Sequence, residues 1–376
     1  MRILLLSAYD AQSHQYWREG LVAQFPSSDW TQLVLPGRYF SWRIRGNSMQ
    51  WALGERATLD QPYDLVIATS MVDLASLKGF VPNLAHVPSI LYFHENQFIY
   101  PLSHSNKKHH LDPKIVTLYG ALAADKLLFN SRYNQQSFMS GIKELLNQLP
   151  EKMPVDVAQL LDEKSSVLPV PLRSLTDNSH QDYQNLWPKR KGVSPLRLVW
   201  AARWEYDKGP QLLQAILREL GKRNIDFQIC VLGQKFRKQP IEFEQIKDEF
   251  STQIIQFGYA ESRHHYLSWL AAADIVLSTA LHEFQGLAVL EAVQLGCIPV
   301  LPNHLVYPEL FAPIYLYTSA FNNLPQEASS AVSVIQYQMG LMVKGIAVAP
   351  IIKNLEWPAM TIAYDEILRC VRYSRS

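Results

Sequence analysis

Two carboxylates, Glu283 and Glu291, bracket a strand-to-helix turn in the stretch Thr279-Ala280-Leu281-His282-Glu283-Phe284-Gln285-Gly286-Leu287-Ala288-Val289-Leu290-Glu291. The apolar run Ala273 to Ser278 before it reads as a short buried strand, and Leu287 to Leu295 as an apolar helix that stops at Gly296. Glu283 then lies in the turn and Glu291 lies two turns into the helix. Gly286 lets a ligand approach the backbone, and the N–H groups of a helix start form a seat for phosphate. Carboxylates repel a phosphate but accept hydrogen bonds from hydroxyls. A ligand with sugar hydroxyls on both sides of a diphosphate, such as a nucleotide-sugar, satisfies both features. The alternative is a helix with an acidic first turn, which its dipole favours.

A second cluster, Arg203-Trp204-Glu205-Tyr206-Asp207-Lys208-Gly209, follows another apolar run. Arg203 as a fork and Lys208 as a point charge suit a diphosphate leaving group; a solvated turn is the competing reading. His94 ends a strand after five apolar residues, where a neutral imidazole can hold a hydroxyl or move a proton, or simply bond within the wall of a site. His282 is placed to orient the Glu283 turn. The segment Arg38-Tyr39-Phe40-Ser41-Trp42-Arg43-Ile44-Arg45 interleaves cations and aromatic rings, as phosphates and bases require, and Lys107-Lys108 form a second basic point. For both, a surface loop with solvated charges is the rival reading.

These residues need a frame. At 376 residues the chain exceeds one ordinary core, so two domains are expected. Strands are read at Ile3–Ser7, Gln32–Leu35, Asp64–Thr69, Ser89–His94 and Lys126–Ser131, with Ser13 as the cap of a helix from His14. A second set begins at Leu196–Ala202 and continues through Phe227–Leu232, Ile254–Phe257, Ile275–Ser278, Ile298–Leu301 and Ile314–Leu316. Strands alternating with helices, twice over, predict α/β architecture: two Rossmann-like doubly wound parallel sheets facing a central cleft. The expected divisions are residues 1–172, a polar linker 173–195, a second domain 196–356 and a C-terminal helix 357–376 that packs back on the first domain. Ligands of such sheets bind off the carboxyl ends of the strands. Ser13, His14, His94, Arg203, Lys208, Glu283 and Glu291 all fall at such ends. Neither G-x-G-x-x-G nor a Walker loop occurs, which argues against a dinucleotide dehydrogenase or P-loop enzyme.

Composition narrows the classes further. Hydrophobic content of 48% with 18% charged residues is globular. A net charge of +1 supplies no general field toward nucleic acid or membrane, so such binding must come from local patches. Three scattered cysteines, Cys230, Cys297 and Cys370, argue for reduced thiols and a cytoplasmic location. The apolar start, Ile3 to Leu6, is too short for a signal peptide, and no run reaches the length of a membrane span.

The ordered pair Arg203…Lys208-Gly209 and Glu283-x7-Glu291, with Gly286-Leu287 inside the second, resembles the retaining glycosyltransferases of family 4, which have the GT-B fold. The first half is similar to a narrower group, the tRNA-queuosine alpha-mannosyltransferase family. The likeness rests on Tyr92-Phe93-His94-Glu95-Asn96-Gln97 through Tyr100-Pro101, Phe129-Asn130-Ser131 with Asn134, and Leu35-Pro36 with Trp42-Arg43 and Arg45-Gly46. With His282-Glu283-Phe284 and Trp357 it spans almost the whole chain. The sequence departs from the family pattern at Asp10-Ala11-Gln12, where a Gly-Gly pair is usual, and at Gln285, where an aromatic is common.

The resemblance implies transfer of mannose from GDP-mannose to queuosine in the anticodon of tRNA(Asp), with retained configuration. Glu291 would hold ribose hydroxyls and Glu283 those of the sugar. Arg203, Lys208 and backbone N–H groups near Gly286 and Leu287 would bind the diphosphate, and His94 would touch the reacting centre. Ser13, His14, Trp42, Arg43, Arg45, Asn96, Lys107 and Lys108 are the candidate acceptor contacts. Neither metal nor cofactor is required if Arg203 and Lys208 neutralise the leaving group; no Asp-x-Asp motif is present. Two alternatives stand beside this reading: a family 4 enzyme with a lipid, glycan or small-molecule acceptor, and a non-catalytic nucleotide-sugar or tRNA binder.

Overall fold

The computed structural model describes residues 1–99, 111–150, 152–153, 155–175, 185–234, 239–320 and 322–373. The chain divides into two compact units, Met1–Arg173 with Leu355–Ser376, and Ser174–Asn354. Each is built on a six-stranded sheet whose neighbouring strands run parallel.

The first sheet comprises β1 (Arg2–Asp10), β2 (Asp29–Pro36), β3 (Leu65–Thr69), β4 (Ser89–Phe93), β5 (Lys126–Phe129) and β6 (Ser165–Val167), in the order β2-β1-β3-β4-β5-β6. β3 and β4 are buried at every position. That is why they read as unbroken apolar runs rather than alternating ones: helices cover both faces of a parallel sheet. The order reverses between β1 and β3, and this is the switch point where such sheets bind ligands.

The helix Trp357–Arg372 belongs to this first unit. Leu172 N–H donates to the Leu355 carbonyl at 2.7 Å, and Trp357 N–H to that of Leu172 at 3.1 Å. The Trp17 indole N–H donates to the Tyr364 hydroxyl at 3.0 Å. Gly20 is required beneath this helix, since a Cβ there would come within 2.7 Å of Trp357 Nε1.

The second sheet comprises β7 (Leu196–Ala201), β8 (Phe227–Leu232), β9 (Ile254–Gly258), β10 (Ile275–Leu277), β11 (Ile298–Pro302) and β12 (Leu316–Tyr317), ordered β12-β11-β10-β7-β8-β9. This is a doubly wound Rossmann order, and its switch point lies between β7 and β10. Part of the polar segment read as a linker packs on this unit. Trp187 is buried with its indole N–H on the Trp269 carbonyl at 3.1 Å, and Arg190 forks onto Asp274 at 2.5 and 2.6 Å.

Two local expectations change. The segment Arg38 to Arg45 is not a loop: Phe40–Gly54 is a helix, entered through Tyr39 in the left-handed region. Ser13 does not cap its helix, which starts at Gln12 after Ala11 and leaves Ser13 exposed inside the first turn.

Candidate functional site

The second switch point brings Lys208 and Glu283 together. Lys208 ends a short 3-10 turn, Tyr206–Lys208, after β7, and Glu283 lies in the turn after β10. Gly209 makes the close approach of these turns possible. It adopts φ +65, and a Cβ there would meet the Thr279 carbonyl oxygen at 1.9 Å. The Lys208 ammonium donates to the His282 carbonyl at 2.8 Å and to Glu283 Oε2 at 3.2 Å, with Asp207 Oδ2 also at 3.2 Å. Burial pulls the Lys208 ammonium down, but Glu283 and Asp207 outweigh it and hold its pKa above the ordinary value. Burial pushes the Glu283 carboxyl up, yet Lys208 beside it and backbone N–H donors hold it below the ordinary range. Both groups therefore stay charged at neutral pH.

The backbone donors to Glu283 revise the phosphate seat read from the sequence. Glu283 Oε1 accepts from the N–H groups of Phe284 at 3.1 Å and Gly286 at 3.1 Å, and from Gln285 at 3.5 Å. The carboxylate thus closes over the donors just before helix Leu287–Gln294. The helical ladder opens with Leu290 N–H on the Gly286 carbonyl, so the N–H groups between point off the helix start. Gly286 has φ +75, and a Cβ would press on Tyr307 Cε1 at 3.3 Å.

Arg203 extends this charged group. Its Nη1 stands 3.1 Å from Glu205 Oε2, and its charge is felt at Lys208 and His282. Burial raises the Glu205 pKa against the pull of Arg203. His282 is driven down to about 4 by burial and then by Lys208, so its imidazole is neutral at physiological pH. Glu291 is buried on the next helix and is gripped by both terminal nitrogens of Arg263, with Nη1 to Oε2 at 3.0 Å. The sequence by itself does not single out Asp207, Glu205 or Arg263. A turn carrying alternating charges gives no hint of which ones face inward, and Arg263 acts from a helix distant in sequence.

The first unit presents His14 and His94 at the carboxyl ends of β1 and β4. Their rings lie 4.1 Å apart, with Tyr92 and Trp17 at 4.8 and 5.0 Å from His94. Burial, then the neighbouring His14, hold His94 well below the ordinary histidine value. Its Nε2 has no hydrogen-bond partner among the described residues. A neutral imidazole with an unspent nitrogen is suited to a substrate hydroxyl.

The remaining expected acceptor contacts divide. Trp42 is half-exposed, and Arg45 is exposed with Asp73 at 3.6 Å. Arg43 is buried and gives Nη1 to Gln50 at 2.9 Å, so it packs the helix instead of offering charge to a phosphate. Asn96 is also consumed internally: its Nδ2 donates to Asn134 Oδ1 and Ser137 Oγ, both at 2.9 Å, and its Oδ1 accepts from Phe98 N–H. It shapes the loop after β4. Lys107 and Lys108 lie outside the described residues. Asp10, at the stretch where the sequence departs from the family pattern, is neutralised locally by Arg18 Nη2 at 2.9 Å and by the Ser7 hydroxyl at 2.9 Å.

Comparison with known proteins agrees with this frame. Residues 2–172 match the family described as tRNA-queuosine alpha-mannosyltransferase N-terminal, and residues 185–322 match glycosyl transferases group 1. The chain is 32% identical over 327 residues to a Drosophila melanogaster protein named tRNA-queuosine alpha-mannosyltransferase, covering 85% of this chain and 84% of that one. Anabaena HepE in complex with UDP superposes with a TM-score of 0.63 at 13% identity, over 98% of this chain and 100% of that one. Sucrose-phosphate synthase from Thermosynechococcus elongatus does so with 0.69 at 12%, over 99% of each. At such low identity these structures speak for the shared GT-B fold of two Rossmann-like domains. On its sequence and fold together, this chain is a glycosyltransferase belonging to the tRNA-queuosine alpha-mannosyltransferase family.

Proposed function

We propose that the protein transfers mannose from GDP-mannose to queuosine in the anticodon of tRNA(Asp), with retention of configuration. The observation that carries this reading is the named activity of the Drosophila relative, matched across most of both chains. The geometry supplies chemistry to go with it. Lys208, with its charge secured by two carboxylates, and Arg203 neutralise the diphosphate as it departs. Glu283 is fixed by Lys208 and backbone N–H groups, and its remaining lone pairs receive hydroxyls of the sugar. Glu291 takes the ribose hydroxyls. His94 offers Nε2 to a substrate hydroxyl.

In this mechanism no side chain forms a covalent link to the sugar. The acceptor oxygen attacks from the face that the phosphate leaves, and the phosphate oxygen collects its proton. Catalysis consists of charge stabilisation and placement. The two cations do the work a divalent metal does in other transferases, so activity should survive a chelator. The substrate puts the enzyme in the cytoplasm, and no helix among the described residues is long and apolar enough to cross a membrane.

The test is incubation with labelled GDP-mannose and tRNA from cells with and without queuosine. Label should enter only the queuosine-containing pool, in the presence of EDTA as in its absence. Label absent from that pool would refute the acceptor. Equal transfer from UDP-glucose would refute the donor.

A further inference from the structure

Helix Phe40–Gly54 takes no part in the donor chemistry, yet its N-terminal end is built in an unusual way. The Trp42 indole lies flat over its own helix at Gly46. A Cβ on Gly46 would fall 2.5, 2.6 and 2.9 Å from Trp42 Cε2, Cζ2 and Cδ2, so the inner face of the ring rests on the glycine. The residue is nonetheless 54% exposed, which leaves the outer face of the ring to solvent. One turn earlier, Tyr39 holds φ +57, a conformation that non-glycine residues adopt rarely, and is 71% exposed. The Arg38 guanidinium stands 5.6 Å from the Tyr39 ring centroid.

This end of the helix is anchored at the carboxyl edge of the first sheet. Phe40 packs edge-on against Tyr9 of β1 at 5.9 Å. Asn47 Nδ2 donates to the Met71 carbonyl at 3.2 Å, Asp73 N–H donates to Asn47 Oδ1 at 3.1 Å, and the Ser48 hydroxyl donates to the Asp73 carbonyl at 2.6 Å. Met71 and Asp73 follow β3, so the helix is tied to both strands of the switch point. No acidic residue stands in its first turn, and Arg38 and Arg45 flank the two rings. Held rings with one open face, alternating with cations, fit single-stranded nucleic acid, in which every base offers a flat face and every link a phosphate.

We propose that Tyr39 and Trp42 are stacking platforms for unpaired bases of the acceptor RNA loop, with Arg38 and Arg45 engaging its phosphates and Gly46 present to keep the Trp42 ring flat. This rests on the reading that the acceptor is RNA. The two rings select for unstacked bases, and so for a loop over a duplex.

Binding of a fluorescent anticodon stem-loop to the full-length protein, followed by anisotropy across a salt series, tests it. Tyr39→Ala and Trp42→Ala should each weaken binding roughly 5- to 150-fold with the salt slope unchanged. Arg38→Ala and Arg45→Ala should each flatten the slope by about 0.7. Trp42→Phe should recover most of the Trp42→Ala loss. Gly46→Ala is the decisive variant: alanine favours a helix, so thermal stability should hold while the displaced ring weakens binding. Undiminished binding by Trp42→Ala and Gly46→Ala would overturn the proposal, as would preference for a duplex over the loop. The assay needs no donor. A wild-type protein that binds the loop through these rings but transfers no mannose would sink the proposed function alone. Transfer by the wild type with binding indifferent to both rings would sink the platform alone.

Discussion

Replacing Lys208 by methionine removes a buried cation while nearly keeping its volume. Glu283 loses its side-chain ion partner, and Asp207 loses the ammonium 3.2 Å away. Neither Asp207 carboxylate oxygen has a hydrogen-bond partner among the described residues, so that charge is left with little compensation. Breaking a buried ion pair from one side costs about 3–5 kcal/mol. Glu283 keeps its backbone donors, which places the expected loss near the lower end, about 3 kcal/mol. With a urea slope of about 2 kcal/mol per molar, the second unit's midpoint should fall by about 1.5 M at pH 7.5.

The sign of the pH dependence makes this prediction strict. In the wild type the Glu283 pKa is depressed, so its contribution is present above the unfolded carboxyl value and lost as pH falls through the folded one. Without Lys208, burial dominates and raises that pKa. Protonation then relieves the variant first, and the gap between the two proteins should narrow below about pH 6. Urea titrations at pH 7.5, 6.5, 5.5 and 4.5 read this directly. A loss that stays constant over this range would show that the damage is one of packing, and the charge network argued here would be refuted.

Four further outcomes follow from the same contacts. Glu283→Gln should reduce mannosyl transfer about 100-fold or more while the fold persists, measured by label incorporation beside a melting curve. His282 and His94 both have depressed pKa values in the fold, so the stability they confer is complete above about pH 6.5 and is lost as pH falls below it, for His282 toward about 4. The unfolding free energy read from urea titrations should drop from pH 7 to pH 5 by about 2 kcal/mol for His282, with a further drop from His94, and by less in Lys208→Met, where a contributor to the His282 shift is gone. Arg18→Ala should cost about 3 kcal/mol by stranding the largely buried Asp10, and the double change with Asp10→Gly should recover most of it in thermal melts. Gly209→Ala should lose at least about 2 kcal/mol, whereas Gly345→Ala at a similar φ with open space around it should lose about 1 kcal/mol.

Why some of this was legible in the sequence and some was not has a physical basis. Parallel strands buried on both faces, such as β3 and β4, leave unbroken apolar runs, and the residue that ends each run marks the ligand-binding edge. That logic puts His94, Lys208 and Glu283 beyond the ends of strands, and the structure has them after β4, β7 and β10. It says nothing about which way a polar side chain turns once placed. Arg43 and Arg45 are two residues apart on one helix, about 200° around its axis, so one is buried on Gln50 while the other is exposed. The order of residues alone does not show that difference, because the distinction exists only when the helical period is imposed. Asn96 was misplaced for a related reason: an amide after a strand reads alike whether it binds a ligand or braces a loop, and only its three-way bonding to Asn134, Ser137 and Phe98 decides. Glu291 shows a further limit. Its spacing from Glu283 marks it as an acceptor, but its grip by Arg263 depends on a contact between two helices. Sequence periodicity therefore finds where charge can act, and the side-chain network determines which charge is still available to a ligand.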